Sequence, residues 1–314
     1  MEEKQIIELS HKIRETVLPY FGKPESKRIS GKAIGGDSTF FIDDISEHFL
    51  SNYLEKEARD IAYYSEDRGL VGVGKPRDLL IIDPIDGTRA AACGLESSCI
   101  SIAACPYSEE AVLGDINLAV VQEIKSGRLY CAKKGEGIII IEKNHSYKPS
   151  PSNNSEIDSL FWSIGLRGRP IVPLIAVLEE LIDVSNFNGT LFGLGSASFS
   201  MTKVASGQLD CYIDIGHRLV TDFPVLEKNY MHVGQGSIIN NYPYDIAAGY
   251  LVLKESGGVV TDAYGRDLTS HPLMGIGKEY QMSTVASSNP SLHKILIMMI
   301  DRGFNRLEDD MKKY

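Results

Sequence analysis

The 314-residue sequence predicts a mixed protein, an N-terminal α+β unit built on an antiparallel meander sheet followed by a C-terminal α/β unit. Three observations carry that expectation. Residues 98–142 hold short apolar runs separated by glycine-containing turns, the pattern of a meander. Residues 159–301 alternate strand-like apolar runs with helical stretches. Between them, residues 144–157 (NHSYKPSPSNNSEI) are polar and rich in proline and asparagine. That stretch is the best domain boundary in the chain and divides it into residues 1–150 and 151–314.

The elements follow in order. Ile6, Leu9, Ile13 and Val17 recur at spacings of three and four, which predicts an amphipathic helix over 4–21 stopped by Gly22 and Pro24. A second helix starts near Asp43, with Ile45, Phe49, Tyr53 and Leu54 on one side. Residues 29–34 (ISGKAI) make a poor strand. Residues 61–64 read as a short strand ending at Ser65-Glu66, and 78–82 (DLLII) as one buried on both faces and ending at Asp83. In the meander, 98–104 alternate small and aliphatic residues, 115–122 and 128–132 flank a Ser126-Gly127 turn, and 138–141 follow a glycine-bounded turn. The second half offers strands at 159–164, 189–193, 209–214, 258–261 and 283–286. Helices are expected at 171–182, 196–206, 244–256 and 290–301, the last capped by Asn289 with Pro290 in its first turn.

Composition excludes several classes. At 43% hydrophobic and 24% charged, the chain can bury a core without metals or disulfides holding it together. Basic residues number 32 against 42 acidic, a net charge of -10, which argues against general nucleic-acid binding. An anionic substrate stays open, because bound cations can invert the local field. The five cysteines include no CxxC pair, and Cys99 and Cys211 sit in apolar company, so a reducing, cytoplasmic setting is expected. The N-terminal MEEKQIIELSHK lacks a basic start before an apolar stretch. Aliphatic runs such as 138–141 and 295–300 fall far short of the roughly 20 residues a spanning helix needs, so no membrane partner is expected.

Three acidic positions stand out by their place in this scheme. Glu66 follows a strand, Asp83-Pro84-Ile85-Asp86-Gly87-Thr88 follows another, and Asp245 begins a helix. Ligands of α/β sheets gather outside the carboxyl ends of strands. Pro84 fixes its φ and Gly87 permits a tight turn, so Asp83 and Asp86 can aim at one point. Carboxylates without histidine or cysteine nearby suit hard cations such as Mg²⁺ or Mn²⁺. Gly87 and Thr88 would place backbone N–H groups and a hydroxyl at a helix start, where phosphate binds readily. Taken singly, each feature has an ordinary explanation. A D-P-x-D turn is more often a solvated loop or cap, Glu66 a surface acid, and Asp245 a first-turn acid favoured by the helix dipole.

Together these residues resemble the inositol monophosphatase-like family of Mg²⁺-dependent, lithium-sensitive phosphatases, which includes archaeal-type inositol monophosphatase/fructose-1,6-bisphosphatase members. DPIDGT at 83–88 matches the family's D-P-[ILV]-D-G-[ST]. Gly195-Ser196-Ala197 with Ala205-Ser206-Gly207-Gln208-Leu209-Asp210 resembles its G-[ST]-A…A-[ST]-G-x-x-D segment. Asp245-Ile246-Ala247-Ala248-Gly249 with Glu255-Ser256-Gly257-Gly258 resembles its D-x-A-A-[GA]…E-[AS]-G-G. The match runs from about residue 30 to 265. The resemblance implies a layered αβαβα sandwich of the sugar-phosphatase type and a cytoplasmic homodimer that lithium inhibits. It implies two or three Mg²⁺ ions, with Mn²⁺ a substitute, held by Glu66, Asp83, the Ile85 carbonyl, Asp86 and Asp245. Thr88 and an upstream aspartate would orient the attacking water. Lys32, Asp37 and Asp43 keep the family's K-x4-D-x5-D spacing, which selects Asp43. Gly87 and Thr88 amides would hold the phosphate, and Gly195, Ser196, Ala197 and Asp214 would line the substrate pocket. The expected reaction is direct hydrolysis of an inositol or sugar phosphate, such as inositol 1-phosphate or fructose 1,6-bisphosphate. A 3′(2′),5′-bisphosphate nucleotidase and a non-catalytic binding protein on the same fold are the alternatives.

Two departures stand against the family pattern. After DPIDGT the family often continues T-N-F, whereas here Arg89-Ala90-Ala91 follows; Arg89 is more often a solvated helix arginine, with a phosphate contact as the alternative. Between Asp214 and Asp245 the family usually has a handful of residues. Here 217–242 intervenes, an insertion expected to reshape the pocket wall or a subunit contact. Gly35-Gly36-Asp37-Ser38-Thr39 resembles a kinase phosphate loop but lacks the apolar strand such a loop needs. Asp83–Gly87 is not an EF-hand, because Pro84 and Ile85 occupy the wrong positions and no glutamate closes the ligand spacing.

Overall fold

The computed structural model describes residues 2–57, 60–72, 75–143 and 145–312. In chain order, the first half contains α1 (Glu3–Val17), β1 (Ile29–Lys32), β2 (Ser38–Phe40), α2 (Phe41–Glu57), β3 (Ile61–Ser65), β4 (Gly69–Val71), β5 (Asp78–Asp86), α3 (Thr88–Cys93), β6 (Cys99–Pro106), β7 (Leu118–Glu123), β8 (Leu129–Lys133), β9 (Gly137–Glu142) and β10 (His145–Tyr147). The second half contains β11 (Phe161–Ile164), α4 (Ile171–Ser185), β12 (Thr190–Phe192), α5 (Ala197–Ala205), β13 (Cys211–Asp214), α6 (Gly216–Asp222), α7 (Glu227–Val233), α8 (Pro243–Glu255), β14 (Val259–Thr261), β15 (Thr284–Ser287) and α9 (Pro290–Met311).

These elements stack as five layers. The larger sheet has eight strands in the order β10-β9-β8-β7-β6-β5-β3-β4, and the smaller has five in the order β12-β11-β13-β15-β14. Strands β5 to β10 pair antiparallel with their sequence neighbours, the expected meander, while β3 joins β5 in parallel. Helices α1 and α2 cover one face of the large sheet. Ile6, Leu9, Ile13 and Val17 meet Ile42 and Leu50 over Leu80, Ile82, Ile100 and Ile102. Helices α5 and α8 form the middle layer, with Met201, Val204, Ile246 and Leu251 packed between Leu79, Ile81 and Val121 of the large sheet and Tyr212 and Ala286 of the small one. Helices α4 and α9 close the far face through Leu174, Val177, Leu178, Leu292, Leu296 and Phe304. A 15-residue helix such as α1 is marginal alone. Its four fully buried aliphatic side chains, at about 1.5–3 kcal/mol apiece, make it stable here. No helix among the described residues is long and apolar enough to cross a membrane.

The differences from the sequence reading have local causes. Strand β5 does not stop at Asp83 but continues to Asp86, with its register to β6 broken between the two. Pro84 has no N–H to give the ladder, so the strand bulges there instead of ending. Residues 29–32 do form a strand, yet all four are exposed, which is why no apolar alternation marks them. Asn144 lies outside the described residues. Residues 145–147 of the polar stretch form β10, the edge strand of the large sheet. The insertion folds as α6 and α7, anchored by the buried Leu219 and Tyr230.

Candidate active site

The bulge in β5 aims two carboxylates where the start of α8 adds a third. Asp83, Asp86 and Asp245 are all buried, and each offers an oxygen within 4.8 Å of those of the others. Each is held by local donors. Asp83 Oδ1 accepts the Ile85 N–H at 2.9 Å across the proline. Asp86 Oδ2 accepts Ser196 Oγ at 2.7 Å and Ser198 N–H at 2.8 Å, both from the first turn of α5. Asp245 Oδ2 accepts the Tyr242 N–H at 2.7 Å, and its carbonyl accepts Ser198 Oγ at 2.7 Å. Ser198 therefore ties α8 to α5, and the third carboxylate to the second.

At the end of β5, Gly87 turns the chain into α3 with φ +93°. A Cβ there would come within 2.5 Å of the Ser97 carbonyl oxygen, so only glycine fits. The next residue, Thr88, has its Oγ1 2.9 Å from Asp43 Oδ1 and 3.0 Å from the Ile85 carbonyl oxygen. With one proton, the hydroxyl donates to one of these at a time. Asp43 also accepts the Phe40 N–H at 2.8 Å.

The carboxylates are crowded. Burial, then Asp86, Glu66 and Asp245, push the Asp83 carboxyl well above its usual range. Burial raises Asp86 to about 6 despite the Ser196 and Ser198 bonds, and burial with Asp86 raises Asp245 to about 7. Glu66, at the end of β3, borders the cluster. Burial and then the Asp245 charge drive it upward too. Burial takes Asp43 to about 8. Buried like charges of this kind call for a cation, and an all-oxygen donor set suits a hard divalent ion such as Mg²⁺. The three-aspartate cluster can coordinate one metal ion.

Gly195, Ser196, Ala197 and Asp214 line a small cavity of about 40 Å³ beside Asp86 and Asp245. Two of them already have partners. Ser196 Oγ donates to Asp86 and caps α5 at Phe199 N–H, 3.1 Å away. Asp214, with no exposed surface, is ion-paired to the buried Arg169 and accepts the Gly216 N–H at 2.9 Å. Arg169 Nε lies 3.3 Å from Asp214 Oδ1, and its Nη2 lies 3.3 Å from Asn241 Oδ1. Arg169→Met should therefore destabilise the protein by about 3–5 kcal/mol, because it strands a buried charge. Adding Asp214→Leu should recover most of that loss. Urea denaturation checks both, and a single variant within about 1 kcal/mol of wild type would remove the pair's structural importance. Arg89 pairs with Asp37 across the chain. Its guanidinium forks onto Asp37 at 3.0 and 3.2 Å.

The family model for the inositol monophosphatase family matches residues 3–300. The chain belongs to this family. A bifunctional NADP phosphatase/NAD kinase of Methanococcus maripaludis is 28% identical over 305 residues. That alignment covers 93% of this chain but 48% of the relative, so the chain spans about half that protein's length. A fructose-1,6-bisphosphatase/inositol-1-monophosphatase of Methanothermobacter thermautotrophicus is 25% identical, over 96% of this chain and 99% of the relative. Among solved structures, an IMPase of Thermotoga maritima superposes with a TM-score of 0.70 at 21% identity, covering 97% of this chain and 98% of that one. Family membership and the buried aspartate cluster together make this member a metal-activated phosphatase of small phosphorylated substrates.

Sequence reasoning passed over Arg167 and Arg169. Both follow β11, at the carboxyl end of a strand, which was the available signal. Desolvation lowers the Arg167 pKa only partly, because its side chain is 39% exposed, and the charges of Asp37, Glu66, Asp245 and Asp86 outweigh it and raise the pKa.

Proposed function

We propose that this chain is a Mg²⁺-dependent phosphomonoesterase that hydrolyses inositol or sugar phosphates. Glu66, Asp83, the Ile85 carbonyl, Asp86 and Asp245 would hold two or three Mg²⁺ ions, or Mn²⁺ in their place. When bound, such ions polarise the phosphate and acidify a water enough for attack at neutral pH. Thr88 Oγ1, tethered to Asp43, orients that water through its lone pairs. The Gly87 and Thr88 N–H groups hold the phosphate oxygens, and Gly195, Ser196, Ala197 and Asp214 shape the pocket for a hydroxyl-rich ring. No covalent intermediate is required.

The observation that carries this reading is the convergence of Asp83, Asp86 and Asp245 within 4.8 Å, beside the 2.9 Å Thr88–Asp43 bond. The fructose-1,6-bisphosphatase/inositol-1-monophosphatase relative supports the substrate class. The test is phosphate release from inositol 1-phosphate, fructose 1,6-bisphosphate and adenosine 3′,5′-bisphosphate, with Mg²⁺ and with EDTA. Release from the first two, abolished by EDTA, is expected. A hundredfold preference for the nucleotide would replace the substrate class, and no release from any ester with Mg²⁺ would overturn the reading.

A further inference from the structure

The three carboxylates of the cluster stand on two elements that share no backbone ladder, Asp83 and Asp86 on β5 and Asp245 in the first turn of α8. A pair of serine hydroxyls fixes one set against the other. Ser198 of α5 donates its backbone N–H to Asp86 Oδ2 at 2.8 Å and its Oγ–H to the Asp245 carbonyl at 2.7 Å. Ser101 Oγ, from β6, lies 3.0 Å from that same Ser198 Oγ. A serine has one hydroxyl proton, and that of Ser198 goes to a carbonyl, which can only accept. Ser101 is therefore the donor to Ser198, and the relay runs in one direction, from Ser101 through Ser198 to Asp245.

Ser101 is also the cross-strand partner of Asp83 in the β5–β6 pairing. The two hydroxyls thus run from the strand pair that carries the first carboxylate, past the N–H that holds the second, to the backbone of the third. Both serines are buried, so water does not compete for these bonds. The close approach of α5 and α8 has its own cause. A Cβ on Gly249, one turn after Asp245, would come within 2.7 Å of Met201 Cε and 3.1 Å of Ser198 Cα. Glycine at this position lets α8 sit near enough to α5 for the Ser198–Asp245 bond. Spacing matters because divalent cations differ in size. Mg²⁺ needs oxygens at about 2.0–2.1 Å in near-octahedral geometry, whereas Ca²⁺ accepts about 2.3–2.6 Å in looser arrangements. Acids held rigidly close favour the smaller ion, and a cluster free to widen gives up that preference.

We propose that the Ser101–Ser198 relay is a positioning device that holds Asp245 at a set distance from Asp83 and Asp86 and so gives the cluster its preference for a small divalent cation. This rests on the metal-activated reading above and adds to it what selects the cation. The hydroxyls act through the placement of the carboxylates and touch neither ion nor ester. The test is calorimetry of the full chain with Mg²⁺ and with Ca²⁺, substrate absent. Ser198→Ala keeps the N–H to Asp86 and loses the anchor on Asp245. Its Mg²⁺ affinity should fall about tenfold, and its Mg²⁺-to-Ca²⁺ affinity ratio about fivefold or more. Ser101→Ala removes only the first bond of the relay and should lower the ratio about twofold. Thr202→Val deletes a buried hydroxyl of the same helix that donates to the Phe199 carbonyl at 2.7 Å, and should leave the ratio unchanged.

In turnover, the Mg²⁺ concentration for half-maximal phosphate release should rise in Ser198→Ala, while kcat at saturating Mg²⁺ stays within about threefold of wild type. Equal losses of Mg²⁺ and Ca²⁺ affinity in Ser198→Ala, or a ratio equal to that of wild type, overturn the relay and leave the phosphatase reading standing. A ratio that falls as far in Thr202→Val also overturns it, because any lost hydroxyl would then serve. If Ser198→Ala does not fold, Ser101→Ala decides, a lowered ratio supporting the relay and an unchanged one overturning it. If no ester is hydrolysed, the phosphatase reading fails, and the binding of the two cations still decides the relay. A wild type that binds neither cation overturns both.

Discussion

Asp83→Asn should lower kcat by at least about three orders of magnitude, roughly 4 kcal/mol of transition-state stabilisation, without unfolding the protein. The amide keeps an oxygen to accept the Ile85 N–H, so the bulge in β5 survives. What disappears is one negative charge from a crowded group of four acids, three of them buried. Burial and the charges of Asp86, Glu66 and Asp245 already push the Asp83 carboxyl up. In EDTA its ionised form therefore destabilises the fold, and the neutral amide should raise the melting temperature. With Mg²⁺ the order should reverse, because wild type gains more from cation binding than the variant does. Phosphate release and thermal melts with and without Mg²⁺ read out both effects. Retained turnover would refute a metal-binding role for Asp83.

Thr88→Ala should reduce kcat about a hundred- to a thousandfold and change KM less than about twofold. The hydroxyl lies 2.9 Å from Asp43 Oδ1 and 3.0 Å from the Ile85 carbonyl, so it is fixed at both sides, and a water bound to it inherits that orientation. Alanine removes the anchor but not the backbone N–H groups that would bind phosphate, which is why KM should hold. Asp43 keeps the Phe40 N–H, so its burial remains compensated and the fold should persist. Thr88→Ser should return most of the rate. A change confined to KM would move Thr88 from positioning water to binding substrate.

The main elements were legible in the sequence, while the αβαβα order of layers came only from the family resemblance. The 3.6-residue periodicity of α1, the short runs of the meander and the strand-helix alternation of the second half are local signals, and each sits in an element the fold contains. DPIDGT was legible for a similar reason. Pro84 and Gly87 fix the backbone within six residues, so the aim of Asp83 and Asp86 follows from the motif itself. Strand β1 was not legible, because all four of its residues are exposed and so need not alternate apolar and polar.

Tertiary structure alone decided the partners of the charged groups. Asp37 meets Arg89 and Arg167, and Asp214 meets Arg169, across 52, 130 and 45 positions of sequence. Nothing in a linear pattern specifies such pairs. They depend on how β11 and β13 of the small sheet, the β1–β2 ribbon and α3 are brought together by apolar packing that does not involve the charges. The sequence thus determined that Asp83 and Asp86 aim together, since backbone geometry within the motif is set by its own residues. Packing decided which cations face them, since the positions of distant strand ends are set by the cores between the layers.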